Sequence, residues 1–208
     1  MGFLRETQIK IINTAMQDFL KMWLFLIFTA LVTGCAAEKP FIMASNDLSN
    51  YRPKTYFIMP LEDNNSDERG KANYPDAAIT VRNALQNEFM RTGFKLVSNS
   101  QIQELYKKIE QEGKINEISN IEFAKMLGAD TLITGCLNTY FKGYFALEMK
   151  YTTVSFSIEA TDVKSKDTMW SANVSKSTPW TYDYDPAAFA QELVKKVVDE
   201  LIEKGHKR

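Results

Sequence analysis

From Thr131 to Ser177 the apolar side chains recur mostly at every second position, whereas from Asp76 to Gly128 they recur every third or fourth. A period of two marks a strand and a period near 3.6 marks a helix. A chain that carries both in separate blocks is held to an α/β or α+β architecture. Ala78, Val81, Leu85 and Phe89 predict a helix over Asp76–Thr92, with Gly93 placed to end it. Ile102, Leu105 and Ile109 repeat that period over Ser100–Gly113. Ser119-Asn120-Ile121-Glu122 reads as a capping box that opens a helix closed by Gly128. Asp185-Pro186 supplies the cap and first-turn proline of a last helix, with Phe189, Leu193, Val197 and Leu201 on one side.

The strand candidates are Thr55–Leu61, Phe94–Ser98, Thr131–Tyr140, a long run from Phe145 to Ala160, and Thr168–Ser177. A turn is expected at Lys142-Gly143. Beyond it Phe145, Leu147, Met149 and Tyr151 share one parity, and Val154, Phe156, Ile158 and Ala160 the other. That switch implies a bulge near Thr152-Thr153 or two faces used in succession. Asp162–Asp167 is a polar turn, after which Trp170, Ala172 and Val174 point one way. The predicted order is β-α-β-α-α-β-β-β-α, a mixed sheet of about five strands with helices packed on it.

Ahead of this block, Lys21 precedes the apolar run Met22–Thr33, which is 12 residues long. A membrane span needs ~20. A basic residue, a short apolar core and small residues before a cut site describe a secretory signal peptide. The ending Val32-Thr33-Gly34-Cys35 resembles the bacterial lipobox, whose cysteine is diacylated and becomes the mature N-terminus. The expectation is a signal peptide over 1–34, starting from Met1 or Met16. A lipidated Cys35 and a short polar tether follow over 35–53, then one periplasmic domain over 54–208. The covalent diacylglyceryl and N-acyl lipid would be the only non-protein groups, each buried methylene contributing ~0.8 kcal/mol to anchoring. Ala36-Ala37 follow the cysteine where an Asp would resemble an inner-membrane retention signal, so the outer membrane is expected.

Twenty-five basic and 26 acidic residues give a formal charge of −1, with no concentrated basic run, which argues against a nucleic-acid partner. With Cys35 acylated, Cys136 is the remaining thiol; no disulfide can form, and its apolar neighbours predict burial. His206 is the single histidine and is expected to be solvated in the Lys204–Arg208 tail. Zinc chemistry and Ser-His catalysis both lack their residues. Asp63–Glu68 invites comparison with a calcium loop, but Glu68 stands where an EF-hand needs Gly and Tyr74 where it needs Glu, so a solvated loop is expected. Asp183 and Asp185 support glycosidase-type chemistry only if buried and facing each other, and a capping role suffices for them. The chain therefore reads as a non-enzyme with no metal or cofactor site. Aromatic residues suited to a partner surface are Trp180, Tyr182 and Tyr184, together with Tyr140 and Phe141.

Several segments together resemble a known group. These are Met59-Pro60-Leu61-Glu62-Asp63-Asn64, Arg82-Asn83-Ala84-Leu85, Phe94-Lys95-Leu96-Val97-Ser98, Leu127-Gly128-Ala129-Asp130, and Ile158-Glu159-Ala160-Thr161-Asp162-Val163 followed by Met169-Trp170. Their order is similar to the curli-secretion lipoprotein superfamily, whose relatives include the penicillin-binding-protein activator lipoproteins and the N-terminal domain of translocation protein TolB. The resemblance covers roughly Lys54 to Ser177. It implies a non-catalytic, lipid-anchored protein that assists assembly of an envelope secretion or surface-polymer system through an envelope protein partner, or as part of a ring of its own copies. The alternative it implies is a regulator of a peptidoglycan synthase; an envelope hydrolase at Asp183 or Asp185 is the third reading. Glu148 and Lys150 share the parity of Val154 and Phe156, which argues against a strand facing lipid at depth.

Overall fold

In the computed structural model, which describes residues 40–145, 149–178 and 184–206, three long strands form an antiparallel meander. They are β4 (Thr131–Phe145), β5 (Met149–Asp162) and β6 (Thr168–Ser177). The alternation read from the sequence is the alternation of burial. Val154, Phe156, Ile158 and Ala160 of β5 are buried, as are Trp170, Ala172 and Val174 of β6, and the residues between them are half-buried or exposed. The polar turn between these strands is held by Asp162, whose carboxylate accepts the Lys164 and Ser165 N–H groups at 2.8 and 2.7 Å.

Short strands complete the sheet at both edges. β1 (Phe41–Ala44) runs antiparallel beside β6, and β2 (Tyr56–Ile58) and β3 (Glu62–Asp63) run parallel beside β4. The spatial order is β1-β6-β5-β4-β2, with β3 also on β4. Five helices accompany these six strands in the described residues: α1 (Glu68–Asn73), α2 (Ala77–Arg91), α3 (Asn99–Gln111), α4 (Asn120–Met126) and α5 (Pro186–Glu203). The fold is α+β, a mixed open sheet with helices packed on it. Residues Lys39–Arg208 form one compact unit.

The predicted caps are in place. Ser98 and Ser119 each close a capping box, with Gln101 and Glu122, and the Asp185 carboxylate accepts the Ala187 N–H with Pro186 in the first turn. The apolar stripes of α2 (Val81, Leu85, Phe89) and α5 (Phe189, Leu193, Val197, Leu201) meet one face of the sheet at Tyr56, Ile133, Phe156, Ile158 and Trp170. Each large side chain buried there contributes roughly 1.5–3 kcal/mol.

Several expectations are corrected. The polar run assigned to a tether over 35–53 gives Phe41–Ala44 to the sheet, and Leu48 is buried in the main core. Phe94–Ser98 is not a strand but a single bridge, Leu96 to Tyr56. Lys142-Gly143 is not a turn: β4 continues, with Lys142 opposite Thr152 and Gly143 opposite Tyr151. Gly143 is there because a Cβ would lie 2.2 Å from the Phe141 ring. The register shifts fall at Leu137/Thr139 and Ala160/Thr161 rather than at Thr152-Thr153.

The Asp63–Glu68 segment is more than a solvated loop. Asp67 caps α1 by accepting the Gly70 N–H at 2.9 Å. Asn65 is buried, and its amide donates to the Tyr140 carbonyl at 3.1 Å and accepts the Tyr140 N–H at 3.3 Å. A side chain thereby stands in for a strand partner where β3 has ended. Gly70 packs against the same Tyr140 carbonyl, which a Cβ would approach to 2.5 Å.

Candidate interaction surface

Among the described residues, the second face of the sheet is covered at its two ends only. At one end α4 packs Ala124 over Phe57 and Leu132, with Val97, Ala129 and Val163 alongside and the Phe123 ring 5.7 Å from that of Phe57. A cleft of about 360 Å³ opens beside this cluster, between α3, α4 and Met59, lined mainly by apolar side chains. At the other end Arg69 of α1 lies over the Phe141 ring at 5.1 Å, and the Tyr151 ring is 5.7 Å from it.

Between these ends no described helix or strand covers the face, which we term the bare face. β4 presents Thr134, Cys136 and Asn138; β5 presents Ser155, Ser157 and Glu159; β6 presents Ser171, Asn173 and Ser175, all half-buried or exposed. Hydroxyl and amide groups pair across strands. Asn138 Nδ2 donates to Ser157 Oγ at 2.9 Å, Thr168 Oγ1 donates to Glu159 Oε1 at 2.7 Å, and the Thr153 and Ser177 hydroxyls are 2.7 Å apart. Glu159 is the charged side chain among these positions. β1 extends the face at its edge with Phe41, 63 % exposed and opposite Asn173, and Met43, 55 % exposed and opposite Ser171. Cys136, expected to be buried, is half-buried here, its Sγ 3.3 Å from Asn138 Oδ1. Its position on the bare face explains the difference, since the next residue, Leu137, takes the core side.

The residues singled out as partner contacts are divided. Cys35, Trp180 and Tyr182 lie outside the described residues, as does Asp183. Tyr184 is exposed; its ring meets Phe189 at 5.7 Å and its carbonyl accepts the Thr152 hydroxyl at 2.8 Å. Tyr140 and Phe141 are 3 % and 7 % exposed, so they pack within this chain instead of facing outward. Tyr140 takes the helical side, edge-on to Tyr74 at 5.3 Å, and Phe141 lies beneath Arg69. Burial and the nearby Asp185 carboxylate raise the Tyr140 hydroxyl above its ordinary range. Sequence reasoning missed the Ser/Thr/Asn face because small polar residues in alternate positions look like ordinary solvated strand.

The histidine expectation fails most clearly. His206 is 1 % exposed, its Nε2 is 2.7 Å from the Tyr56 hydroxyl, and its ring packs against Phe94 at 5.2 Å. Gly205, at φ 97, turns the chain after α5 so that His206 folds back into the core. Burial, with a smaller effect from Arg52, lowers its pKa to about 4, so the ring is neutral. Burial also raises the hydroxyls of Tyr51 and Tyr56, and Tyr51 bonds to the Thr131 hydroxyl at 2.7 Å. His206 and Tyr56 are internal to the core, and Tyr51 continues the cluster to its half-buried edge.

Among the described residues no group of three or more His, Cys, Asp or Glu is placed to hold a metal ion. Carboxylates near the wide groove at the β2 entry are engaged by the backbone: Asp130 Oδ2 accepts the Lys54 and Thr55 N–H groups at 2.8 and 2.9 Å. Among the same residues no helix is long and apolar enough to cross a membrane.

No protein-family model matches this chain, and no curated protein does. Solved structures share its fold. The PelC dodecamer from Paraburkholderia phytofirmans aligns at TM-score 0.54 and 13 % identity, over 78 % of this chain and 96 % of that one. Lipoprotein GNA1162 from Neisseria meningitidis aligns at 0.47 and 18 %, over 73 % and 99 %. The LpoB C-terminal domain from Salmonella enterica aligns at 0.39 and 18 %, over 64 % and 95 %. At these identities the likeness, carried by PelC, is one of fold.

Proposed function

We propose that this chain is a non-catalytic, lipid-anchored protein of the periplasmic side of the outer membrane that works through its bare sheet face. It assists assembly of an envelope secretion or surface-polymer system, and it does so as one subunit of a ring. The observation that carries this reading is the face itself: a hydrogen-bonding Ser/Thr/Asn surface with Glu159 on its central strand and Glu62 at its β3 edge, bordered by exposed Phe41 and Met43. Interface cores are depleted of charge, and small polar side chains lose less rotamer entropy on burial than Lys or Glu. The fold likeness to PelC, which is a dodecamer, supports a ring. The synthase-regulator reading is weakened by β1, which leaves few residues to carry the domain away from its lipid. Asp185 caps α5 from an exposed position, which weakens the hydrolase reading.

The test is the mass of the detergent-extracted, lipidated protein by light scattering, beside a Cys35→Ser form. A discrete multi-subunit mass in the lipidated form is expected. A monomer in both forms would overturn the ring.

A further inference from the structure

β1 sets how far the domain stands from its lipid. From Cys35 to Phe41 a fully extended chain reaches at most ~20 Å. β1 is antiparallel to β6, and β6 runs in the same sense as β4, so the extension of β1 beyond Phe41 points toward the outer end of the β4–β5 hairpin. Phe41 is level with Asn173, Ser157 and Cys136 across the sheet. β6 pairs as far as Thr153, Thr178 and Tyr184 still bond to Thr152, and beyond them the β4–β5 pair runs on as an arm through Gly143–Tyr151 and Tyr144–Lys150. From Cys136 to Tyr144 the arm gains ~23 Å at ~3.3 Å per residue, allowing for the bulge.

These two lengths are nearly equal. A lipid on Cys35 therefore cannot lie appreciably beyond the level of Tyr144, and a bilayer surface set at that level meets Tyr144. Tyr144 is 70 % exposed, with Lys150 Nζ 5.9 Å from the centre of its ring. An exposed tyrosine suits the headgroup layer, where its ring is half-desolvated and its hydroxyl stays in water.

We propose that the outer end of the β4–β5 arm, through Tyr144, is a second contact with the bilayer that holds the Cys35 lipid. The proposal rests on the anchored reading above. Lipid and arm together stand the sheet upright on the membrane. The bare face then looks sideways, along the membrane plane, where a neighbouring copy would sit.

The test places an environment-sensitive fluorophore at one position at a time, by Tyr144→Cys, Met43→Cys or Lys164→Cys in a Cys136→Ser background. The full-length, lipidated protein is reconstituted in phosphatidylethanolamine–phosphatidylglycerol vesicles. The thiol of Cys35 is consumed by its lipid, and Lys164 lies on the β5–β6 turn at the opposite end of the sheet. The expected result is blue-shifted emission at 144, quenched by headgroup-nitroxide lipid and shielded from aqueous iodide, with the label at 164 showing neither effect. Protein that floats with vesicles while 144 stays as iodide-accessible as 164 overturns the arm contact. So does lipid quenching at 43 in place of 144, which would lay the domain on its β1 edge. Shielding at 144 that appears only at high surface density, without lipid quenching, would assign the arm to another copy and also overturn the proposal. Failure to float would overturn the anchor itself.

Discussion

The two faces of the sheet are made by the same three long strands and have opposite chemistry. Along β5, Val154, Phe156 and Ile158 enter a core closed by α2 and α5, while Ser155, Ser157 and Glu159 look out from the bare side. Stability is concentrated on the first face, where each position is enclosed by side chains from two helices. The second face is left with groups that hydrogen-bond to one another and to whatever covers them. Register ties the two together, because a one-residue slip would exchange them.

The sharpest contrast is between neighbours in β5. Phe156→Ala should cost ~3–5 kcal/mol, since it removes a fully buried ring and leaves a cavity; urea denaturation followed by circular dichroism measures it. A loss below about 1 kcal/mol, well under the range for buried aromatic truncations, would mean that the helical face is not the stabilising one.

The covered face also carries an acid-sensitive group, His206. An unfolded histidine takes up a proton near its ordinary 6.5, whereas folded His206 does so only at about 4. Between those values the unfolded state binds more protons, so stability falls as the pH drops through the window, by on the order of 3 kcal/mol in all. His206→Gln should lower stability at neutral pH, where its Tyr56 contact is disturbed, and flatten this slope. Thermal midpoints of both proteins between pH 7 and pH 4 decide it.

Asn65→Ala acts at the edge between the two faces. It deprives the Tyr140 N–H and carbonyl of their partner and should cost ~1–3 kcal/mol, with faster amide exchange at Tyr140. Ser157→Ala, on the bare face, should change stability by no more than about 0.5 kcal/mol. A larger loss there would show that the cross-strand pair with Asn138 holds the sheet together, which would undermine the division between the faces.

The covered face was legible in the sequence because its signal is periodic. The stripes of α2 and α5, the capping boxes at Ser98 and Ser119, and the alternation of β5 and β6 all rest on local chemistry. The misreadings arose where a distant partner decides. Phe41–Ala44 looks like linker until β6 pairs with it, and His206 looks like a tail until Gly205 turns it under Tyr56. Gly143 suggested a turn, but the rings of Phe141 and Tyr151 are what require a glycine there. The bare face had no signal of its own, because alternation shows which residues leave the core and not what meets them.

The most direct measurement is the light-scattering mass of lipidated protein carrying Ser157→Arg and Asn173→Arg, beside its unaltered parent. Both positions lie on the bare face, at one level of the sheet. If that face joins the copies, two added charges should reduce a multi-subunit mass to a monomer while the thermal midpoint stays unchanged. A multi-subunit mass that survives both substitutions would contradict the assignment of the bare face as the working surface.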